Sequence, residues 1–170
     1  MLGERTPELY ALIARRRALG HDLHDEVWDG EYHMAPAADG RHAHLEARLT
    51  VVLDRSAGSS GLFVAGPVNI GRPGNFRVPD LTVHRAGPEL LWFPTAAMVV
   101  EVVSPDDESW LKFDHYAAHA VDEVLIADPQ KRTLHLFVLV NGSYQSAEVS
   151  GLLGVTVADL HGAIDWPGSG

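Results

Sequence analysis

Two acids and one amine equip this chain for chemistry. Asp80 closes the run Val78-Pro79-Asp80, Glu101 sits inside Val99-Val100-Glu101-Val102-Val103-Ser104-Pro105, and Lys112 opens the helical stretch that follows. An acid ending one short β-run, a second inside the next and a lysine beyond can meet at a sheet edge, as metal-dependent phosphodiester hydrolysis requires. Two carboxylates about 4 Å apart in a partly desolvated site repel by several kcal/mol, so a divalent cation or a retained proton must separate them. A hard cation such as Mg²⁺ prefers oxygen ligands and keeps several waters, so Asp80, one oxygen of Glu101 and the backbone carbonyl of Val102 make a sufficient protein shell. Lys112 is the candidate for orienting the attacking water or stabilising the transition state. The chain carries eleven arginines and only two lysines, so a lysine here points to a compact, titratable charge that arginine does not offer.

The elements that must position these groups follow from pattern. Thr6-Pro7-Glu8 reads as an N-cap with proline at the first helical position, and Leu9, Leu12, Ile13 and Leu19 recur at helical spacing before Gly20. Residues 27–34, with Asp29-Gly30 inside, form a strand or hairpin corner leading into the loop at 35–40. Leu45, Leu49, Val52 and Leu53 fall on one stripe of a second helix over residues 42–57. Short strands at 62–65 and 68–70, the turn Gly71-Arg72-Pro73-Gly74-Asn75 and a run over 76–84 read as a β-meander. Residues 97–103 are nearly continuous apolar and β-branched, the pattern of a strand covered on both faces, which makes Glu101 an exception needing a reason. A helix over 106–120, a buried strand at 124–127, a strand over 134–140, the hairpin signal Asn141-Gly142 and a short helix near 155–160 complete the order.

These residues carry a resemblance. Residues 78–144, with Val-Pro-Asp80, Val-Val-Glu101-Val-Val-Ser-Pro105, Lys112, Tyr116 and the run from Asp122 to Pro129, are similar to the Uma-two family of endonuclease-like proteins in the PD-(D/E)XK superfamily. Gly30-Glu31-Tyr32-His33-Met34-Ala35-Pro36 and Gly40-Arg41-His42 resemble that family's opening strand and the entry to its first core helix. The resemblance spans about residues 25–148. It implies a restriction-endonuclease-like α/β core with a mixed central sheet flanked by helices, here with an added β-meander and an N-terminal helix. It implies a metal-dependent endonuclease that hydrolyses DNA phosphodiester bonds with Mg²⁺ or Mn²⁺, with Asp80, Glu101 and Lys112 as its centre. The superfamily's usual lysine stands two residues after the second acid, where this chain has Val103, so the ammonium has to come from the next helix. Glu46, on the first core helix, and Glu31 are further candidate acids, and His42 and Tyr116 are candidate supporting groups.

Each of these residues also has a bland reading. Asp80 could cap a turn, Glu101 could face water at an edge, and Lys112 could lie on a solvated helix face. Tyr116, four residues on, could be core, and Glu46 could pair with Arg41 or Arg48 in solvent. Arg15-Arg16-Arg17 reads as a solvated helix end. The ten histidines are expected at loop or surface positions, because His42 and His44 lie two apart on a helix and point to different sides.

Composition bounds the rest. A chain of 170 residues with 46% apolar and 21% charged residues fits one domain, divided as a helical extension (1–24), a core (25–148) and a C-terminal segment (149–170). The absence of cysteine excludes disulfides, thiolate zinc sites and cysteine nucleophiles. No phosphate-binding glycine loop and no Gly-x-Ser-x-Gly elbow occurs. No membrane partner is expected, and the sequence reads as cytoplasmic. A net charge of −10 restricts any DNA contact to a local one, since phosphate binding needs Lys or Arg. A homodimer is an expectation only because cutting both strands needs two sites. A noncatalytic DNA-binding or protein-interaction module, or a hydrolase acting on a smaller phosphodiester, would fit the same composition.

Overall fold

The computed structural model describes residues 6–35, 38–85, 89–104 and 108–168. Pro36, Pro105, the start expected for the helix at 106 and the last two residues of the tail lie outside these. The chain begins with α1 (Pro7–Ala18), capped by Thr6, whose hydroxyl accepts from the Leu9 N–H at 3.3 Å. The basic cluster on this helix is not simply solvated: Arg15 and Arg17 are exposed, but Arg16 grips Asp25 with two bonds of 2.6 and 2.7 Å. This fork against a buried carboxylate anchors α1 to the body.

Asp25 leads directly into the hairpin of β1 (Glu26–Trp28) and β2 (Glu31–His33). Its turn places Asp29 and Gly30 at φ 48° and 91°, the left-handed pair that an Asn/Asp-Gly hairpin turn favours. Next comes α2 (Gly40–Ser59), which begins where the Asp39 carboxylate accepts from the N–H groups of Arg41 and His42, both at 2.9 Å. Its buried stripe of Leu45, Leu49, Val52, Leu53 and Ala57 lies against a large sheet with Leu81, Val83, Met98, Val100 and Leu125.

That sheet has six strands in the order Ser143–Ala147, Thr133–Val140, Glu123–Asp128, Met98–Val102, Leu81–His84 and Phe63–Ala65, which are β11, β10, β9, β8, β6 and β3. Only β8 and β9 run parallel, so the sheet is mixed. The Asn141-Gly142 turn, at φ 51° and 83°, joins β10 to β11. Opposite α2, the other face packs Val99, Val124 and Ile126 on Tyr116 and Phe93.

The expected β-meander is not formed. β3 and β6 belong to the large sheet, while β4 (Asn69–Arg72) and β5 (Asn75–Arg77) leave it for a second, five-stranded sheet ordered β2-β1-β5-β4-β7, with β7 at Trp92–Phe93. The run over 76–84 breaks at Val78-Pro79-Asp80, because Pro79 offers no N–H to a ladder and the N–H of Val78 is taken by Glu26 at 2.8 Å. Gly71 lets the β4–β5 hairpin close: at φ 126°, a Cβ there would stand 2.5 Å from the Asn75 carbonyl oxygen.

The helix expected over 106–120 is, in its described part, a 3₁₀ turn (Ser109–Lys112) running into a short α3 (Phe113–Ala118). No side chain caps either element, and Ala120 at φ 50° stops the chain soon after. At the C-terminus, β12 (Val149–Ser150) pairs with β13 (Val155–Thr156), and Thr156 caps α4 (Val157–Ala163) through a reciprocal pair with Asp159. Among the described residues, no helix is long and apolar enough to cross a membrane.

The histidines expected on the surface include three that are buried: His42, His84 and His115. An imidazole is apolar enough for a core once its nitrogens find partners, and His115 finds the Ile70 carbonyl at 2.9 Å. His84 instead packs its ring on Phe63 and Phe93, at centroid distances of 5.4 and 4.3 Å, tying the two sheets together. Burial pushes its pKa down to about 4, so the folded chain keeps it neutral while the unfolded chain protonates it near 6.5. Its stabilising contribution is full above the unfolded value and is lost as pH falls from 6.5 toward 4. His84→Phe is therefore expected to flatten the fall in melting temperature across that interval, measured by circular dichroism. An unchanged acid limb would contradict the assignment.

Candidate active site

The register of β6 on β8 brings the two acids of the sequence motif to the same end of the sheet. Leu81 opposes Val100, so Asp80, the residue just before β6, and Glu101, the residue after Val100, lie next to the end of the antiparallel ladder. Alternation along β8 puts Met98, Val100 and Val102 on the α2 side and leaves Glu101 with Val99 on the side of Tyr116. The chain then continues through the 3₁₀ turn, whose last residue, Lys112, comes back over the end of β8.

Glu101 is 3% exposed and is held from two directions. The Lys112 ammonium lies 3.1 and 3.0 Å from its two oxygens, and the Tyr116 hydroxyl donates to Oε1. Tyr116 is thus both core, as its spacing suggested, and a partner of the acid. Lys112 also stands 2.9 Å from Oε1 of Glu26, an acid that sequence reasoning passed over. Glu26 accepts further bonds from the Val78 N–H at 2.8 Å and the Trp28 indole at 2.6 Å. Nothing in Asp25-Glu26 distinguishes it from ordinary acids ahead of a strand; the one available signal is its place at the first residue of β1.

Asp80 is fixed as firmly. Its Oδ2 accepts from the Val102 N–H at 2.6 Å, and its Oδ1 faces Nε2 of His42 at 3.0 Å. The other nitrogen of that ring meets the Ser104 hydroxyl at 3.0 Å. One turn along α2, Glu46 completes a group with His42 and Asp80 whose ligand atoms all lie within 4.8 Å of one another. Three oxygen-bearing or imidazole ligands on a helix face and a strand end are a donor set that a divalent ion fits. Glu31, by contrast, is exposed in β2 and does not line the cleft.

Asp80, Glu101, Val102, Lys112, His42 and Glu26 all line one cleft of about 720 Å³, which His24, His33 and Ser104 also border. Its electrostatics follow from burial among acids. Burial pushes the Glu101 carboxyl up to about 8, with the charges of Asp80 and Glu26 adding to the effect and Lys112 and Tyr116 opposing it. Burial disfavours the charged Lys112, but Glu101 and Glu26 outweigh it and hold the ammonium protonated. Burial likewise raises Tyr116 well above its ordinary range and, together with the charge of Asp80, raises Glu46. For His42, burial opposes protonation while the bond to Asp80 and the nearby acids overcome it, so its pKa rises.

A model of the Uma2 family, described as "Putative restriction endonuclease", matches residues 7–163, and the chain belongs to that family. Among solved structures, it is similar to a "putative nuclease belonging to DUF820" from Anabaena variabilis ATCC 29413, at 14% identity and a TM-score of 0.66, over 82% of this chain and 90% of that one. No curated protein matches it. The fold is therefore the mixed α/β, restriction-endonuclease-like one that the motif implied, and the family is a nuclease family.

The Tyr116 hydroxyl and Glu101 are both sealed from water, so removing the donor leaves a buried acceptor short of a partner. Tyr116→Phe is expected to cost about 1–3 kcal/mol in urea denaturation. A loss below a few tenths of a kcal/mol would mean that Lys112 alone satisfies Glu101.

Proposed function

We propose that this chain is a Mg²⁺- or Mn²⁺-dependent endonuclease that hydrolyses DNA phosphodiester bonds, with Asp80, Glu101 and Lys112 as its centre. The observation that carries the proposal is that these three side chains, from the residue just before β6, from β8 and from the turn beyond it, line a single cleft. Asp80 and Glu101 would hold the ion, with the Val102 carbonyl as a third ligand. Val103 bonds sideways to Ala127 at 2.8 Å while the Val102 N–H meets Asp80, and in extended backbone the N–H and C=O of one residue point to the same edge, so that carbonyl lies on the Asp80 side. Glu46 and His42 would complete the shell or orient Asp80.

When bound, the ion supplies an activated water and neutralises charge growing on the phosphate oxygens. The protein's own contributions are separate. Lys112 presents a protonated amine to the developing charge. Tyr116 fixes the rotamer of Glu101, and His42, braced by Ser104, fixes that of Asp80. DNA would touch only the cleft and its rim, since a chain of net charge −10 has no broad basic surface to offer. We read residues 1–170 as one domain. A noncatalytic module that keeps the fold is the second reading, favoured by that acidity and by acids already satisfied internally.

Calorimetry with Mn²⁺ tests the centre. Asp80→Ala and Glu101→Ala are expected to abolish binding, while Lys112→Ala keeps binding and lowers plasmid cleavage by about 100-fold or more. Binding that survives loss of both acids would refute the site, and tight binding without cleavage of any DNA would favour the noncatalytic module.

A further inference from the structure

We propose that Glu26 is a positioning residue for Lys112: its carboxylate keeps the ammonium in the cleft when a divalent ion takes over Glu101. The inference rests on the nuclease reading above and adds to it a residue from the second sheet. Lys112 divides itself between two acids, at 2.9 Å from Glu26 and 3.0 Å from Glu101. An ion on Glu101 would take up the oxygens that Lys112 now holds, and its charge would repel the ammonium. Lysine sits on a flexible four-carbon stem, so without another anchor it would swing toward solvent and lose its place beside the reacting phosphate.

Glu26 is built to be that anchor. It is 5% exposed, and both of its oxygens are tied to rigid donors other than lysine. The Val78 N–H holds Oε1 at 2.8 Å, and the Trp28 indole holds Oε2 at 2.6 Å. The carboxylate therefore does not depend on Lys112 for its position and would stay where it is as the lysine's bond to Glu101 is broken. Trp28 is itself braced by the Arg77 guanidinium, 4.3 Å from its ring centroid. Val78 belongs to the same short segment as Asp80, so one carboxylate links the hairpin, the first acid's strand and the lysine.

The consequence for metal binding is specific. With Glu26 charged, part of the lysine's attraction is spent away from Glu101; with Glu26 neutralised, Lys112 turns wholly to Glu101 and competes with the ion. Calorimetry with Mn²⁺ on the full chain, Glu26→Gln, Lys112→Met and the double variant separates this from a direct effect of charge. Glu26→Gln is expected to weaken Mn²⁺ binding by about tenfold in the parent and by less than about twofold in the Lys112→Met background. The same factor in both backgrounds overturns the inference and leaves the nuclease reading intact; a parent chain that binds no Mn²⁺ overturns both.

A second measurement needs no variant and so survives any failure of one to fold. The chain has only two lysines, so the ¹⁵N ammonium signal of Lys112 can be told from that of Lys131. On saturation with Mg²⁺ the signal is expected to persist, with proton exchange slowed as in the metal-free chain to within about threefold. Its loss to rapid exchange would show that no second anchor holds the amine and would overturn the inference.

Discussion

A single buried ammonium compensating several buried acids is the constraint around which this molecule is arranged. Glu101 and Glu26 are almost fully sealed from water, and Asp80 lies beside them. Isolated charges in such a place would cost far more than one domain's stability can supply, so the fold has to deliver a cation and enough donors to the same point. Lys112 is that cation, and the short 3₁₀ turn before α3 exists in the position that brings it there. A neutral donor stands beside each acid as well: Tyr116 for Glu101, the Val102 amide for Asp80, and Trp28 with the Val78 amide for Glu26.

The two sheets divide the labour. The six-stranded sheet, with α2 on one face, brings Asp80 and Glu101 to the same end through the β6–β8 register, and the Val102 N–H and His42 then fix Asp80. The five-stranded sheet carries Glu26 and closes the cleft from the other side. It is held by small, local devices: the Arg16–Asp25 fork, the Arg77 guanidinium donating to the Val27 carbonyl at 3.1 Å, and the His115 contact with Ile70. His84, stacked between Phe63 and Phe93, keeps the sheets in register with each other. The proposed metal-dependent reaction would benefit from that rigidity, since carboxylates held in place by the fold need little movement to meet an ion.

The sequence carried the large sheet and the three motif residues clearly, and for a physical reason. A charged residue in a two-sided apolar strand, as at Glu101, violates its own surroundings, and such violations mark sites. The helices over Pro7–Ala18 and Gly40–Ser59 were equally plain from caps and stripes. The second sheet was not, because its strands are two to four residues long and pair across distant parts of the chain, as Val27 does with Phe76. Period-two patterning has no room to develop in so few residues, and the meander reading joined strands that belong to different sheets. Glu26 and the inward turn of His42 were hidden with it: an acid ahead of a strand and a histidine at a helix start look solvated until the partner that buries them is known.

A crystal soaked in Mn²⁺ and measured for anomalous scattering puts the central claim to its most direct test. The account predicts one strong peak in the cleft with carboxylate oxygens of Asp80 and Glu101 at about 2.0–2.4 Å, and with Lys112 moved off Glu101 but still against Glu26. A peak elsewhere, or none at saturating Mn²⁺ with the Lys112–Glu101 pair intact, would contradict it.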